Sequence, residues 1–154
     1  MKKLIIAFLL ALVPLFGLAS EGPHLDDADI DLSDQASLQR GAKYFVNYCL
    51  SCHSAQFQRY NRMAQDLGLT EDEVIGNLMF TTDKIGDTMN IAMNPNEAEK
   101  WFGVVPPDLS VLIRARGVDY IYTYLRSFYP DEKRPFGVNN IVFSSSAALR
   151  LLAS

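Results

Sequence analysis

The sequence predicts a mostly α-helical domain. Apolar residues recur at helical spacing in several segments, each bounded by a capping residue or a Gly or Pro breaker. Strand-like alternation is scarce, and no repeat or low-complexity segment interrupts the pattern. At 154 residues, 49% apolar and 21% charged, the chain is long enough for one domain with a modest core and too apolar to be disordered.

The first segment stands outside that domain. Lys2 and Lys3 precede an uncharged apolar stretch, Leu4 to Leu18, broken by Pro14 and Gly17. Gly17-Leu18-Ala19 places small residues where a signal peptidase reads. Residues 1–19 are therefore expected to be a secretory signal peptide. An uncleaved N-terminal anchor is the alternative, although the stretch is short for a span of ~20 apolar residues. The remainder then lies on the export side, in a bacterium the periplasm, where exposed thiols oxidise unless something else engages them. The net charge is −4, or −6 without Lys2 and Lys3 (12 basic residues against 18 acidic). That argues against a nucleic-acid partner and leaves a basic protein or a neutral small molecule open.

Residues 20–33 read as an acidic arm over the surface, with Asp26, Asp27, Asp29 and Asp31 crowded together. Ser33 or Asp34 caps a helix expected over about 34–48, with Leu38, Ala42, Phe45, Val46 and Cys49 recurring along it. After His53 the pattern is mixed. Thr70-Glu71-Asp72-Glu73 opens a helix over about 71–79, with carboxylates in its first turn. Gly86, Asn90, Asn94 and Pro95 mark 81–95 as a loop. Asn96 or Glu97 starts a short helix to Phe102, and Pro106-Pro107 stops it. Helical spacing resumes over 108–115, breaks at Gly117, and returns as an aromatic helix over 118–129. Tyr120, Tyr124, Leu125 and Phe128 share one of its faces. Pro130, Pro135 and Gly137 mark a turn. The domain proper is expected over 34–143, followed by a tail at 144–154.

The chemistry concentrates at Cys49-Leu50-Ser51-Cys52-His53, which holds both cysteines and one of two histidines. A thioredoxin-type dithiol expects a βαβ surround that is missing here. Structural zinc needs four ligands, and the remaining histidine, His24, sits in the acidic arm. A plain disulfide gives no reason for the adjacent histidine. Covalent haem attachment requires all three residue types in this order: two thiols add to the two vinyl groups, and the next residue places its imidazole under the iron. The rest of the chain must then wrap a flat apolar group with two carboxylates. Phe45, Tyr48, Trp101, Phe102, Tyr120, Tyr124 and Phe128 offer apolar area, and Arg114 and Arg116 could meet the propionates.

Beyond this motif, the chain resembles the cytochrome c1 family, the haem subunit of ubiquinol–cytochrome c reductase (complex III). The resemblance rests on Arg40-Gly41-Ala42 with Tyr48 to His53, Asp83 to Met93, Trp101-Phe102-Gly103 and Val105-Pro106-Pro107-Asp108-Leu109-Ser110. It continues through Arg114-Ala115-Arg116-Gly117, Asp119 to Leu125 and Gly137-Val138-Asn139-Asn140. It implies a c-type cytochrome domain wrapped around covalent haem c, with Cys49 and Cys52 attached to the haem and His53 as the first axial ligand. It further implies Pro107 packed near the haem and Arg116 on a propionate; Tyr120 is a further candidate haem contact. Implied partners are cytochrome b, a Rieske iron–sulfur subunit that donates the electron, and a mobile cytochrome c that accepts it. The expected location is the periplasmic side of the inner membrane. The subunit would carry electrons and have no catalytic residues of its own.

The resemblance departs near the end. The family follows its Val-Asn-Asn-x-Val-Phe stretch with a proline-bearing loop carrying a methionine axial ligand, then a C-terminal membrane anchor. Here the chain reads Ser144 to Ser154, Ala148 stands near the place of that methionine, and the last methionine is Met93. The expectation is a shortened or altered C-terminus without the anchor. The alternative function that follows is an incomplete chain with a five-coordinate, ligand-binding haem, unless Met89, Met93 or His24 substitutes.

Overall fold

The computed structural model describes residues 22–143. The expected signal peptide and the tail at 144–154 lie outside the described residues. Helix α1 (Gln35–Tyr44) starts at Asp34, whose carboxylate accepts the Ser37 amide and satisfies one donor of the open first turn. The helix then widens into a π-turn, Phe45–Cys49, in which the Leu50 amide reaches back five residues to Phe45 O at 2.9 Å. Strand β1 (Ala55–Arg59) and helix α2 (Tyr60–Asp66) follow. Helix α3 (Glu71–Asn77) is opened by a capping box, in which the Thr70 hydroxyl accepts the Glu73 amide and the Glu73 carboxylate accepts the Thr70 amide.

Strand β2 (Thr88–Met89) pairs antiparallel with β1, Ala55 opposite Met89 and Arg59 opposite Thr88, with an irregular register between. This small sheet pins the segment after His53 to the core. That core is built from Val46, Leu50, Tyr60, Met63, Val74, Leu78 and Met89, with Leu38, Ala42 and Phe45 packed against it. The π-turn therefore buries Val46 and Leu50 and leaves Cys49 at the boundary.

The second half is more open. Helix α4 (Pro95–Phe102) is capped by Asn94 and ends at Gly103, which takes the left-handed conformation (φ 70°) that glycine adopts without steric cost. Helices α5 (Leu112–Arg116) and α6 (Val118–Arg126) are joined at Gly117, where φ of 85° turns the chain sharply. Strands β3 (Phe128–Pro130) and β4 (Val138–Asn140) form an antiparallel hairpin, with Phe128 opposite Asn140. The acidic arm runs along α6: Asp26 N donates to Thr123 Oγ1 at 2.8 Å and Ala28 N to Asp119 Oδ1 at 3.0 Å.

The fold is helix-rich, as the sequence predicts, and adds two small sheets. Three expectations need correction. The mixed stretch after His53 is a strand and a helix. The loop at 81–95 contains β2. The aromatic helix ends at Arg126 rather than 129, because Pro130 disfavours helical backbone at Tyr129 and β3 pairs there instead. Within the helix Leu125 points to solvent at 65% exposure, while Tyr120 stacks on Tyr124 and Tyr124 meets Phe128 edge-on. Among the described residues, no helix is long and apolar enough to cross a membrane.

Candidate haem-attachment site

The motif sits on a helical turn. Cys52 N and His53 N both donate to Cys49 O, at 3.0 and 2.8 Å, so the last two residues of the motif fold back onto the first. Both cysteines are free and half-buried. Burial pushes the Cys49 thiol above its ordinary value, and the Ser51 hydroxyl lies 3.8 Å from Cys52 Sγ.

The His53 ring is fixed by a backbone atom. Its Nδ1 lies 2.8 Å from Pro107 O. A carbonyl only accepts, so Nδ1 carries the proton and the Nε2 lone pair is left free to bind a metal. The sequence reading gave Pro107 a packing role; the structure places its carbonyl on the imidazole.

The two segments that meet here are joined at further points. Leu109 N donates to Ser54 O at 2.8 Å, Gln56 N to Asp108 Oδ2 at 2.9 Å and Phe57 N to Ser110 Oγ at 3.0 Å. Ser110 N donates to Asp108 Oδ1 at 2.9 Å, and Ile91 N to Ser54 Oγ at 3.1 Å. Burial acts to raise the Asp108 carboxyl, but hydrogen bonds from Ser110 and the Gln56 amide outweigh it and hold the group below the usual carboxylate range. Sequence reasoning missed Asp108 and Ser110. The available signal was Asp-x-Ser, a local turn former, directly after the proline pair.

Arg116 and Tyr120 form a cluster of their own one helix further on. The Arg116 guanidinium lies 5.4 Å from the centre of the Tyr120 ring. Tyr120 stacks on Tyr124 at 6.3 Å, and Tyr124 meets Phe128 and Phe143 edge-on at 5.1 and 6.4 Å. Burial, with a smaller contribution from Tyr120, raises the Tyr124 hydroxyl. Among the described residues the ion pair present is Arg62 with Asp66, so no described carboxylate pairs with Arg116. Arg114 is likewise exposed.

The residues present fit a haem. Tyr44 and Tyr48 flank the motif on its own helix and remain exposed, Tyr48 at 74%. Val104 and Val105 lie uncovered just before the Pro107 acceptor. Exposed apolar side chains in the two segments that carry the thiols and the carbonyl holding the imidazole suit a large flat apolar group. Met89 is 2% exposed within the core, so it cannot reach an iron without unpacking β2. No group of three or more His, Cys, Asp or Glu comes together among the described residues, which leaves the zinc reading without a ligand set. A polar cleft of about 390 Å³, lined by Arg59, Thr81, Thr82, Asp87, Thr88 and Asn90, contains none of the motif's residues.

A helix-rich chain that presents Cys-x-x-Cys-His on a turn, with the imidazole held through Nδ1, has the make-up of a c-type cytochrome domain. Residues 27–79 match the model of the Cytochrome C1 family, and the chain belongs to that family. It is 58% identical over 144 residues to cytochrome c1 of Allochromatium vinosum, covering 93% of this chain and 59% of that protein. It is 51% identical over 152 residues to a Nitrosomonas europaea protein named ammonia monooxygenase gamma subunit, covering 98% of this chain and 64% of that one. Against the mitochondrial cytochrome c1 haem protein of Neurospora crassa the identity is 29% over 133 residues, covering 74% and 40%. The chain thus spans about three fifths of the length of the first two relatives. Haem c, bound covalently, is the cofactor of this family and of this chain.

Proposed function

We propose that the chain carries haem c on Cys49, Cys52 and His53 and serves as a one-electron carrier in a respiratory complex of the ubiquinol–cytochrome c reductase type. It would take its electron from a Rieske iron–sulfur protein and pass it to a mobile cytochrome c, at the periplasmic side of a bacterial inner membrane and beside cytochrome b. The observation that carries this reading is the 2.8 Å contact between His53 Nδ1 and Pro107 O, which leaves Nε2 as the iron ligand of a Cys-x-x-Cys-His motif.

When bound, the haem iron supplies exchange of one electron between its ferric and ferrous states. The chain does the rest. Cys49 and Cys52 would hold the group covalently, each thiol through one thioether bond to a vinyl side chain. His53, its ring fixed by the Pro107 carbonyl, would offer Nε2 to the iron. Arg116, stacked over the Tyr120 ring, would offer its guanidinium to a propionate. The exposed Tyr48, Val104 and Val105 would lend apolar area to shield the group from water.

The test is a redox titration of the haem-loaded chain beside His53→Ala and Cys52→Ala. The expected result is reversible one-electron behaviour in the parent, an altered iron spectrum and potential in His53→Ala, and a strongly reduced yield of haem-bearing protein in Cys52→Ala. A His53→Ala spectrum identical to the parent's would overturn the assignment of the ligand.

A further inference from the structure

We propose that Asp108 and Ser110 are positioning residues for the axial imidazole. They clamp the segment leaving His53 onto the loop that carries the Pro107 carbonyl, and so set the direction and strength of the His53 Nδ1–H···O bond. The proposal rests on the reading that His53 binds the haem iron.

A backbone carbonyl can hold an imidazole only if both chains keep their places. Pro107 lies in a segment with no regular secondary structure of its own. Besides the imidazole contact, three hydrogen bonds cross between residues 54–57 and residues 108–110. One is backbone to backbone, Leu109 N to Ser54 O, and any sequence could make it. The other two end on side chains and depend on residue identity. Asp108 Oδ2 accepts Gln56 N, and Ser110 Oγ accepts Phe57 N.

Asp108 also spends its other oxygen within its own turn, where Oδ1 accepts Ser110 N and aims the serine hydroxyl at β1. One carboxylate therefore ties the turn to itself and to the strand. Every group pointed at it is a backbone N–H, so the site calls for an acceptor on both sides. Asparagine would serve one amide and set its own NH2 against the other. Because β1 is paired with β2, the clamp refers the Pro107 carbonyl to the core rather than to the loop alone.

The consequence reaches the iron through His53. Donation from Nδ1–H to a carbonyl makes Nε2 a stronger donor to a metal. A stronger donor favours the ferric state. Loosening the clamp weakens the bond, shifts the balance towards ferrous iron and raises the potential.

The experiment compares the haem-loaded parent with Ser110→Ala, Ser110→Thr and Asp108→Asn. Covalent haem is measured by mass, the midpoint potential by titration, and exchange of the His53 Nδ1 proton by NMR. Ser110→Ala removes a single hydrogen bond, a loss the fold can bear. The expected result is covalent haem in all four. Ser110→Ala and Asp108→Asn should shift the ferric–ferrous equilibrium by up to about tenfold, ~59 mV for one electron, with faster exchange of the Nδ1 proton. Ser110→Thr keeps the hydroxyl and should return both readouts to the parent's values. Haem-bearing Ser110→Ala and Asp108→Asn with parental potential and exchange overturn the clamp while leaving the haem reading intact. A parent that takes up no covalent haem overturns the haem reading, and with it the role given to the clamp.

Discussion

Replacing Asn140 by alanine should unfold the second half of the domain ahead of the first. Asn140 is 4% exposed and uses its side chain fully. Its Oδ1 accepts Ser127 Oγ at 3.1 Å, Val142 N at 3.0 Å and Phe143 N at 3.1 Å, and its Nδ2 donates to Tyr124 O at 2.7 Å. The residue thus ties the end of β4 and the turn after it to the end of α6. Tyr124 O keeps the Ser127 amide, and Phe143 lies at the surface, so those losses are modest. Val142 is 3% exposed, and its amide is left buried without a partner, at about 1–3 kcal/mol. With the weaker losses the total is about 2–4 kcal/mol, and at ~4 °C per kcal/mol the Tm falls by about 8–16 °C. Asn140→Asp keeps the three accepted bonds but faces the Tyr124 carbonyl with an acceptor in place of a donor. It should be destabilised at neutral pH and recover as acid protonates the new carboxyl, which can then donate. Thermal and urea unfolding followed by circular dichroism measure both. An Asn140→Ala protein within ~0.5 kcal/mol of the parent would refute the reasoning.

Met89→Ala should cost about 2–5 kcal/mol and Met89→Leu less than about 1.5, because the side chain fills the core rather than a mobile loop; a near-neutral alanine variant in urea melts contradicts this. Hydrogen bonds from the Thr70 amide and hydroxyl hold the Glu73 carboxyl below its ordinary value, so its capping contribution is full at neutral pH and is lost as pH falls through that lowered value. Glu73→Ala should flatten the acid limb of stability against pH, and an unchanged limb argues against the cap. The exposed aspartates of the arm, Asp26, Asp27, Asp29 and Asp31, with Glu71 and Asp72 on α3, are expected to steer a basic cytochrome. Electron-transfer rates should fall as ionic strength rises past ~0.15 M, where screening sets in within ~8 Å; rates indifferent to salt exclude docking by these residues.

The parts legible in sequence were those whose physics is local. Asp34 and Thr70 cap their own helices, and Cys49, Cys52 and His53 lie within one turn. The parts that were not legible depend on distant partners. Ala55 to Arg59 shows no clear alternation, and becomes a strand because Thr88 and Met89 pair with it from some thirty residues away. Met89 looked like a loop residue for the same reason. At Pro107 the side chain suggested packing, whereas the atom that matters is the carbonyl, which every residue carries. Asp108 and Ser110 were read as part of a helical stretch over 108–115, whereas the helix begins at Leu112 and their partners, Gln56 and Phe57, are set only by the fold. Arg116 and Tyr120 were both singled out in sequence, and the structure pairs them with each other; no hydrogen bond among the described residues joins them to the His53 turn.

The most direct measurement is the mass of the denatured chain after expression with a haem-maturation system. Covalent attachment through Cys49 and Cys52 predicts a polypeptide heavier by one haem, with the colour staying in the protein after extraction with acidified organic solvent. Free polypeptide mass, with haem passing into the solvent, would contradict the claim that this chain is a covalent haem carrier.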